Sequence, residues 1–326
     1  MKIIDIKTYP ICSMSEKAVY YSQDIVDRRM ALIVEVITDE GISGWGEGFC
    51  SGQNPLILKA IVDNAYKPKL IGKDPFDNDV IYETLYNMSR SYGQSGSAII
   101  ALSAIDVALW DLLGKVAGLP VCKLLGQVTD KVQGYASAGF YAPGKTLEDL
   151  QREIEGYLQR GFTAFKMKIG RTANNHKMRL QFMNNGDFYL TPEEDRARIA
   201  LVRRTIGPDK ILMVDMNCTW DMNDVLEAKD FFKENNIFMV EEPIRSDDIA
   251  GYKRLTKEMG SIRVAGIESE QGLSRFGELI AEDAMDVVQA SLGWAGGFTV
   301  CKNIATLAHA FDKLYTPHSF FSSCAL

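Results

Sequence analysis

ILMVDMNCTWDMNDVLEAKDFFKENNIFMVE, residues 211–241, decides the fold. It opens on an apolar, strand-like run closed by Asp215, passes through a polar turn into helical periodicity over 222–235, and returns to an apolar run closed by Glu241. The same unit recurs on either side. Upstream, FTAFKMK (162–168) ends on Lys166 and Lys168; downstream, IRVAGIE (262–268) ends on Glu268, and KLYTP (313–317) leads into His318. The steps from Asp215 to Glu241 and from Glu241 to Glu268 are 26 and 27 residues. Spacing this even puts the charged residues at equivalent points of successive βα units, and in a parallel β/α barrel those points ring one mouth.

Working outward, strand-like runs end near Ser137, Lys168, Asp215, Glu241, Glu268, Ser291 and His318. Helical stretches over 146–159, 192–205, 222–235, 246–259, 271–281 and 297–310 separate them. Such alternation predicts a parallel sheet with helices outside. Seven units are visible and an eighth strand is not. The sequence stops at Leu326, eight residues past His318, so the barrel is expected to lack its C-terminal end. One connection is long: 47 residues from Lys168 to Asp215, with the excess in RTANNHKMRLQFMNNGDFY. A lid and a disordered segment fit it equally.

The residues before the barrel read differently. Strands are expected over 1–12 and 29–38, a Gly-rich turn at DEGISGWGEG, and a mobile loop over 13–27. Helical periodicity follows over 55–70 and 76–91, then a long apolar helix over 97–117 stopped by Gly118 and Pro120. This predicts an α+β domain over 1–125 and a β/α barrel over 126–326.

Composition narrows the partners. Thirty-six basic against 43 acidic residues give a net charge of −7, which disfavours nucleic acid and anionic membranes. Six scattered cysteines without CxxC spacing read as reduced thiols. The N-terminus lacks a signal-peptide pattern, and no apolar run is read as reaching the roughly 18 residues of a membrane span. A cytoplasmic protein is expected.

Asp215, Glu241 and Glu268 offer oxygen ligands from three strand ends, which suits Mg²⁺. Zinc would call for His or Cys beside them. A cation facing lysines suits removal of the proton next to a carboxylate, because the enediolate that forms needs its charge neutralised. Lys168 is then the base, its proton repelled by Lys166 two residues away on the same strand face. His318 is an acid or base for the opposite face of the substrate. His309 falls in a helix and reads as structural; His176 falls in the long insert without an assigned role. Tyr20 and Tyr21, in the loop over 13–27, are candidates for contact with the far end of a substrate.

These residues resemble the enolase superfamily, specifically its mandelate racemase-like acid-sugar dehydratases and racemases. The resemblance is carried by EVITDEGISGWGEG (35–48), ALSAIDVALWDLLGKVAGLPVCKLLG (101–126), then KMK, DMN, EEP, AGIE, Gly296-Gly297 and TPHS in order. It implies a modified TIM-type barrel under an N-terminal capping domain, and a homo-oligomer acting on a small carboxylate. Carried over, Asp215, Glu241 and Glu268 bind Mg²⁺, Lys168 is the base assisted by Lys166, and His318 is the acid/base histidine. Asn217, Glu270 and Ser291 join the tyrosines as substrate-side candidates.

The chain departs from the family at VVQAS (287–291), where Ser291 takes the place of the aspartate that usually partners the histidine. That weighs against a racemase, which needs a competent base on each face, and less against a dehydratase. Glu270 is a possible substitute partner for His318. The expectation is a Mg²⁺-dependent hydro-lyase acting on a sugar acid. The alternatives are a racemase, epimerase or cycloisomerase using the same enediolate, and a catalytically impaired metal-binding relative.

Overall fold

The computed structural model describes residues 1–50, 52–173 and 188–320. His176 and most of the long insert fall outside them. Three antiparallel strands open the chain in the order β1 (Ile3–Tyr20), β2 (Ile25–Thr38), β3 (Ser43–Phe49). The stretch over 13–27 is therefore not a loop. It forms the far half of a long hairpin, with Cys12 opposite Met30 and Tyr20 opposite Ile25, and only 21–24 turn. Pairing satisfies the backbone of these polar residues, so their composition misled.

The apolar stretch after the sheet forms α4 (Ser97–Ala117), following the shorter helices α1 (Pro55–Ile61), α2 (Lys67–Leu70) and α3 (Asn78–Met88). It ends at Gly118 in the left-handed conformation, φ 65°, as a helix-stopping glycine does. Contrary to the sequence reading, this 21-residue helix is long and apolar enough to cross a membrane by length and composition. Most of it is buried inside the protein as a core helix. The period-two glycines of GISGWGEG explain how it packs. A Cβ on Gly44 would lie 2.0 Å from the Ala108 carbonyl oxygen and one on Gly46 2.1 Å from that of Ala104. Strand and helix backbones thus touch directly.

After a single-turn helix, α5 (Val121–Leu124), seven parallel strands follow in sequence order. They are β4 (Ala136–Ala138), β5 (Ala164–Lys168), β6 (Ile211–Asp215), β7 (Ile237–Glu241), β8 (Arg263–Gly266), β9 (Val287–Val288) and β10 (Leu314–Tyr315). The connecting helices start where the sequence provides caps. Thr146 with Asp149, Thr191 with Glu194, and Asp221 with Asp224 each form a reciprocal capping box. The sheet curls into a half-barrel, so that Ala164, Met213, Met239, Ala265 and Val287 from five strands cluster on its inner side. Among the described residues the sheet has seven strands, with β4 and β10 outermost.

Candidate active site

Side chains alternate across a strand, so the residues two positions beyond that inner layer also point inward. Lys166 and Lys168 on β5, Asp215 ending β6 and Glu241 ending β7 therefore meet at one mouth. Lys168 pairs laterally with Asp215, and Asp215 with Glu241. Lys166 Nζ is hydrogen-bonded to Glu241 Oε1 and lies 3.6 Å from Asp215 Oδ2. Lys168 Nζ is hydrogen-bonded to Asp215 Oδ2. Asp215, Glu241 and Lys166 are buried.

Glu268 and His318 complete the ring from beyond their strands. His318 Nε2 is 3.5 Å from Glu268 Oε1, and its Nδ1 is 3.2 Å from the buried Ser291 Oγ. Glu270, the suggested partner of His318, instead bonds Arg275 Nε at 3.1 Å, because it follows Glu268 around a turn on the outer rim. The carboxylate beside His318 is Glu268. Phe49 and Trp294 meet the imidazole edge-on at 5.7 and 6.2 Å between ring centres.

The two tyrosines part company. Tyr21 sits over the mouth with its ring 6.0 Å from Lys168 Nζ. Tyr20, one residue earlier on the strand, faces the other way and packs against Phe188 and Arg171. Asn217 is buried beside Asp215, donating its backbone N–H to Asp215 Oδ1 at 2.9 Å.

Several groups escaped the sequence reading. Gln289 is fully buried and donates to Glu241 Oε2 at 2.6 Å; its place two residues before Ser291 was the available signal. Glu242 is buried next to Glu241. Asn217, Cys218, Glu242 and Ile267 all have φ between 42° and 62°, just past β6, β7 and β8. Left-handed backbone is unusual for such residues and gathers at functional sites. The hairpin turn is stitched to the same strand ends: Ser22 Oγ donates to the Ile169 carbonyl at 2.6 Å, and Gln23 to that of Asn217.

Electrostatics set the state of each group. Burial raises Glu241 to about 8, with repulsion from Asp215 and Glu268 adding to it and Lys166 opposing. Burial likewise lifts Glu268 to about 7. Burial also acts on Asp215, but the ammonium groups of Lys168 and Lys166 overcome it and hold the carboxyl below its ordinary range. Lys166, which burial alone would discharge, is kept charged by Glu241 and its neighbours. His318 is pushed down to about 3, first by burial and then by the two lysines, and is neutral at pH 7.

The donor set fits a hard divalent cation. Among the described residues no three acidic, histidine or cysteine side chains already converge on one point, since the lysine ammonium groups stand between the oxygens. Yet four acids, Asp215, Glu241, Glu242 and Glu268, face only two lysines, and the surplus is borne as retained protons. Asn217 Oδ1 is a further buried oxygen that meets no hydrogen-bond partner among the described residues. With those protons displaced the four carboxylates would exceed the two ammonium groups by two negative charges, and an oxygen donor set of that sign suits Mg²⁺.

Residues 6–126 match the family model of the mandelate racemase / muconate lactonizing enzyme N-terminal domain, and residues 149–326 match the enolase C-terminal domain-like model. The chain belongs to the mandelate racemase / muconate lactonizing enzyme family of the enolase superfamily. It is 33% identical over 320 residues to a D-galactarolactone cycloisomerase of Agrobacterium fabrum, covering 98% of this chain and 78% of that one. The crystal structure of a 3,6-anhydro-D-galactonate cycloisomerase from Zobellia galactanivorans superposes with a TM-score of 0.84 at 33% identity, over 100% and 82% of the two chains. L-talarate/galactarate dehydratase from Salmonella typhimurium, liganded with Mg and L-lyxarohydroxamate, gives 0.84 at 28% identity over 97% and 77%.

Proposed function

We propose that this enzyme removes the α-proton of an acid-sugar carboxylate and expels an oxygen substituent from the neighbouring carbon, a Mg²⁺-dependent lyase reaction. The observation that carries this is the interleaving of Lys166 and Lys168 with Asp215 and Glu241 at one mouth, with His318 across it over Glu268. Asp215, Glu241 and Glu268 would hold the cation, whose charge offsets that of the enediolate.

Lys168 Nζ takes the α-proton. Its present partner, Asp215, would be one of the residues holding the cation, which would free the amine for the substrate. Lys166, kept charged by Glu241 and its neighbours, stays behind it on the same strand face. His318 lies on the opposite face, where the oxygen departs. The cavity of about 260 Å³ lined by Tyr21, Asp24, Arg29, Glu47 and Phe49 opens between Tyr21, at Lys168, and Phe49, at His318. Its charged rim suits a polyhydroxylated tail.

A second reading is opening of a ring C–O bond by the same proton abstraction, as in a cycloisomerase. The neutral His318 favours it, because a lactone carboxylate leaves as a stable anion without a proton from imidazole, whereas hydroxide does not. Ser291 at hydrogen-bond distance from the imidazole weighs against a racemase.

A panel of aldonic acids, aldaric acids and their lactones in D₂O with Mg²⁺ tests the reading. Loss of water with deuterium on the carbon that carried the departing oxygen marks a dehydratase, and an isomer of the lactone with deuterium at that carbon a cycloisomerase; deuterium at the α-carbon without elimination would mark an epimerase. Lys168→Ala is expected to abolish exchange while leaving Mg²⁺ affinity near that of the parent. Residual exchange within about tenfold, roughly 1.4 kcal/mol in barrier, would assign the base elsewhere.

A further inference from the structure

Behind the base strand, away from the mouth, lies a buried ion pair that the reaction itself does not use. Asp195 and Arg198 come from one helix, Pro192–Ile206, three residues apart, with Asp195 Oδ1 and Arg198 Nη1 at 2.6 Å. Tyr141, from the loop after β4, donates its hydroxyl to both Asp195 oxygens at 2.9 and 3.0 Å. Tyr141, Asp195 and Arg198 are 2%, 3% and 7% exposed. Enclosing two charges costs several kcal/mol each, and an apolar filling is often as stable. The pair therefore needs an explanation other than stability, and its remaining bonds supply one.

Those bonds go to the backbone around Lys168 and to the end of the neighbouring strand β4. Arg198 Nη1 donates to the Lys168 carbonyl at 3.1 Å, and Nη2 donates to that of Gly139 at the end of β4. Asp195 Oδ2 accepts the N–H of Gly170 at 2.8 Å. The peptide groups on both sides of Ile169 are thus held, one by its C=O and one by its N–H. Gly170 itself has φ 89° and no room for a Cβ, which would fall 2.6 Å from Thr219 Oγ1. Lys168 is the last residue of β5: on the β6 side the ladder continues through the Ile169 N–H to the Asp215 carbonyl at 2.9 Å, while on the β4 side pairing stops at Met167 and the clamp takes over.

Tyr141 joins the clamp to the hairpin. Its backbone forms an isolated antiparallel bridge with Tyr20, exchanging N–H and C=O bonds of 2.8 and 3.1 Å. Its hydroxyl also accepts the N–H of Arg171 at 3.3 Å, and Arg171 Nη1 donates to the Tyr21 and Asp24 carbonyls at 2.8 and 3.2 Å. The turn bearing Tyr21 and the strand end bearing Lys168 are therefore held by one continuous set of bonds.

We infer that Asp195 and Arg198 are positioning residues that aim Lys168, and that Tyr141 ties this aim to docking of the hairpin turn. This rests on the proposal that Lys168 is the base. Misplacing a reacting group by about 1 Å costs on the order of a hundredfold in rate, which a distant but continuous clamp is able to prevent.

The test uses three mild variants of the full chain, Tyr141→Phe, Asp195→Asn and Arg198→Lys, beside Lys168→Ala. Each is examined for α-deuterium exchange, Mg²⁺ affinity, KM, thermal unfolding and the position of Lys168 Nζ in crystals. The expected result for Asp195→Asn and Arg198→Lys is a ten- to hundredfold loss of kcat and exchange rate, with KM and Mg²⁺ affinity within about threefold of the parent. Lys168 Nζ should be displaced, and Tyr141→Phe should show the same pattern more weakly. A fall in thermal stability alone, with exchange intact and Lys168 unmoved, would reduce the clamp to a packing feature and overturn the inference. If Lys168→Ala still exchanges, it is the assignment of the base that fails. If Asp195→Asn or Arg198→Lys does not fold, Tyr141→Phe, which deletes one hydroxyl and adds nothing, decides by the same criteria.

Discussion

Burial, with repulsion from Asp215, lifts Glu241 and Glu268 to about 8 and 7, so that at neutral pH the first is mostly and the second about half protonated. A cation binding their oxygens must displace those protons. Mg²⁺ binding at pH 7 is therefore expected to release protons, and its affinity to rise with pH through about 8. Calorimetry in buffers of different ionisation enthalpy reads the number directly; zero release at pH 7 would contradict the site. The types of residue at the mouth were legible in advance, because a strand-end acid announces itself by what precedes it. Their pairings were not. Nothing in KMK says that Lys166 meets Glu241 while Lys168 meets Asp215, since that depends on the register of β5, β6 and β7. The same holds for His318, whose low pKa comes chiefly from burial and the two lysines, neither of which its own neighbours in sequence announce.

Elements carry a second kind of information. The glycines of β3 exist for α4: Gly46→Ala would drive a methyl against the Ala104 backbone, where neither partner gives way. A loss of about 3 kcal/mol or more is expected, seen as a lower urea midpoint with an unchanged slope. A midpoint within experimental error of the parent would mean that the strand and helix separate easily. The helices of the barrel were legible to within a few residues because periodicity and capping boxes agree, as at Thr191 with Glu194 before α-helical 192–206. The hairpin was not. Residues 13–20 carry few apolar side chains to reveal a period, and what makes them a strand is β2 alongside. The left-handed turns at Asn217, Glu242 and Ile267 were equally hidden, for no glycine marks them.

At the scale of the whole molecule, the first domain grips the barrel through Asp106. This residue of α4 is 2% exposed and accepts from the Thr299 N–H at 3.1 Å and the Thr299 hydroxyl at 2.5 Å, in the first turn of the barrel helix Gly297–Ala310. Burial raises its pKa to about 7. Between about 4 and 7 the folded chain keeps a proton that the unfolded chain has released. The contribution is thus favourable below the unfolded value and is lost as pH rises through about 7. Asp106→Asn should flatten the pH dependence of unfolding in that window relative to the parent, by up to about 4 kcal/mol. Parallel curves for parent and variant would show that Asp106 carries no such charge cost. The rhythm of strand and helix made the seven described strands of the barrel readable in order, but this joint between the domains joins residues 193 apart and leaves no local trace.

The stitched hairpin turn also has a meaning in time. Ser22 reaches the carbonyls of Ile169 and Asp215, and Gln23 that of Asn217, across sequence separations of 147, 193 and 194 residues. The early strands pair with one another and with α4 through contacts near in sequence, so the first domain is able to form while the chain is still emerging. Its tip cannot find its place until β6 has been made. Closing so long a loop is slow, and such contacts come late in folding. The mouth is therefore completed by the first residues of the chain arriving last, and a partly folded molecule has strands and helices well before it has an assembled place for a substrate.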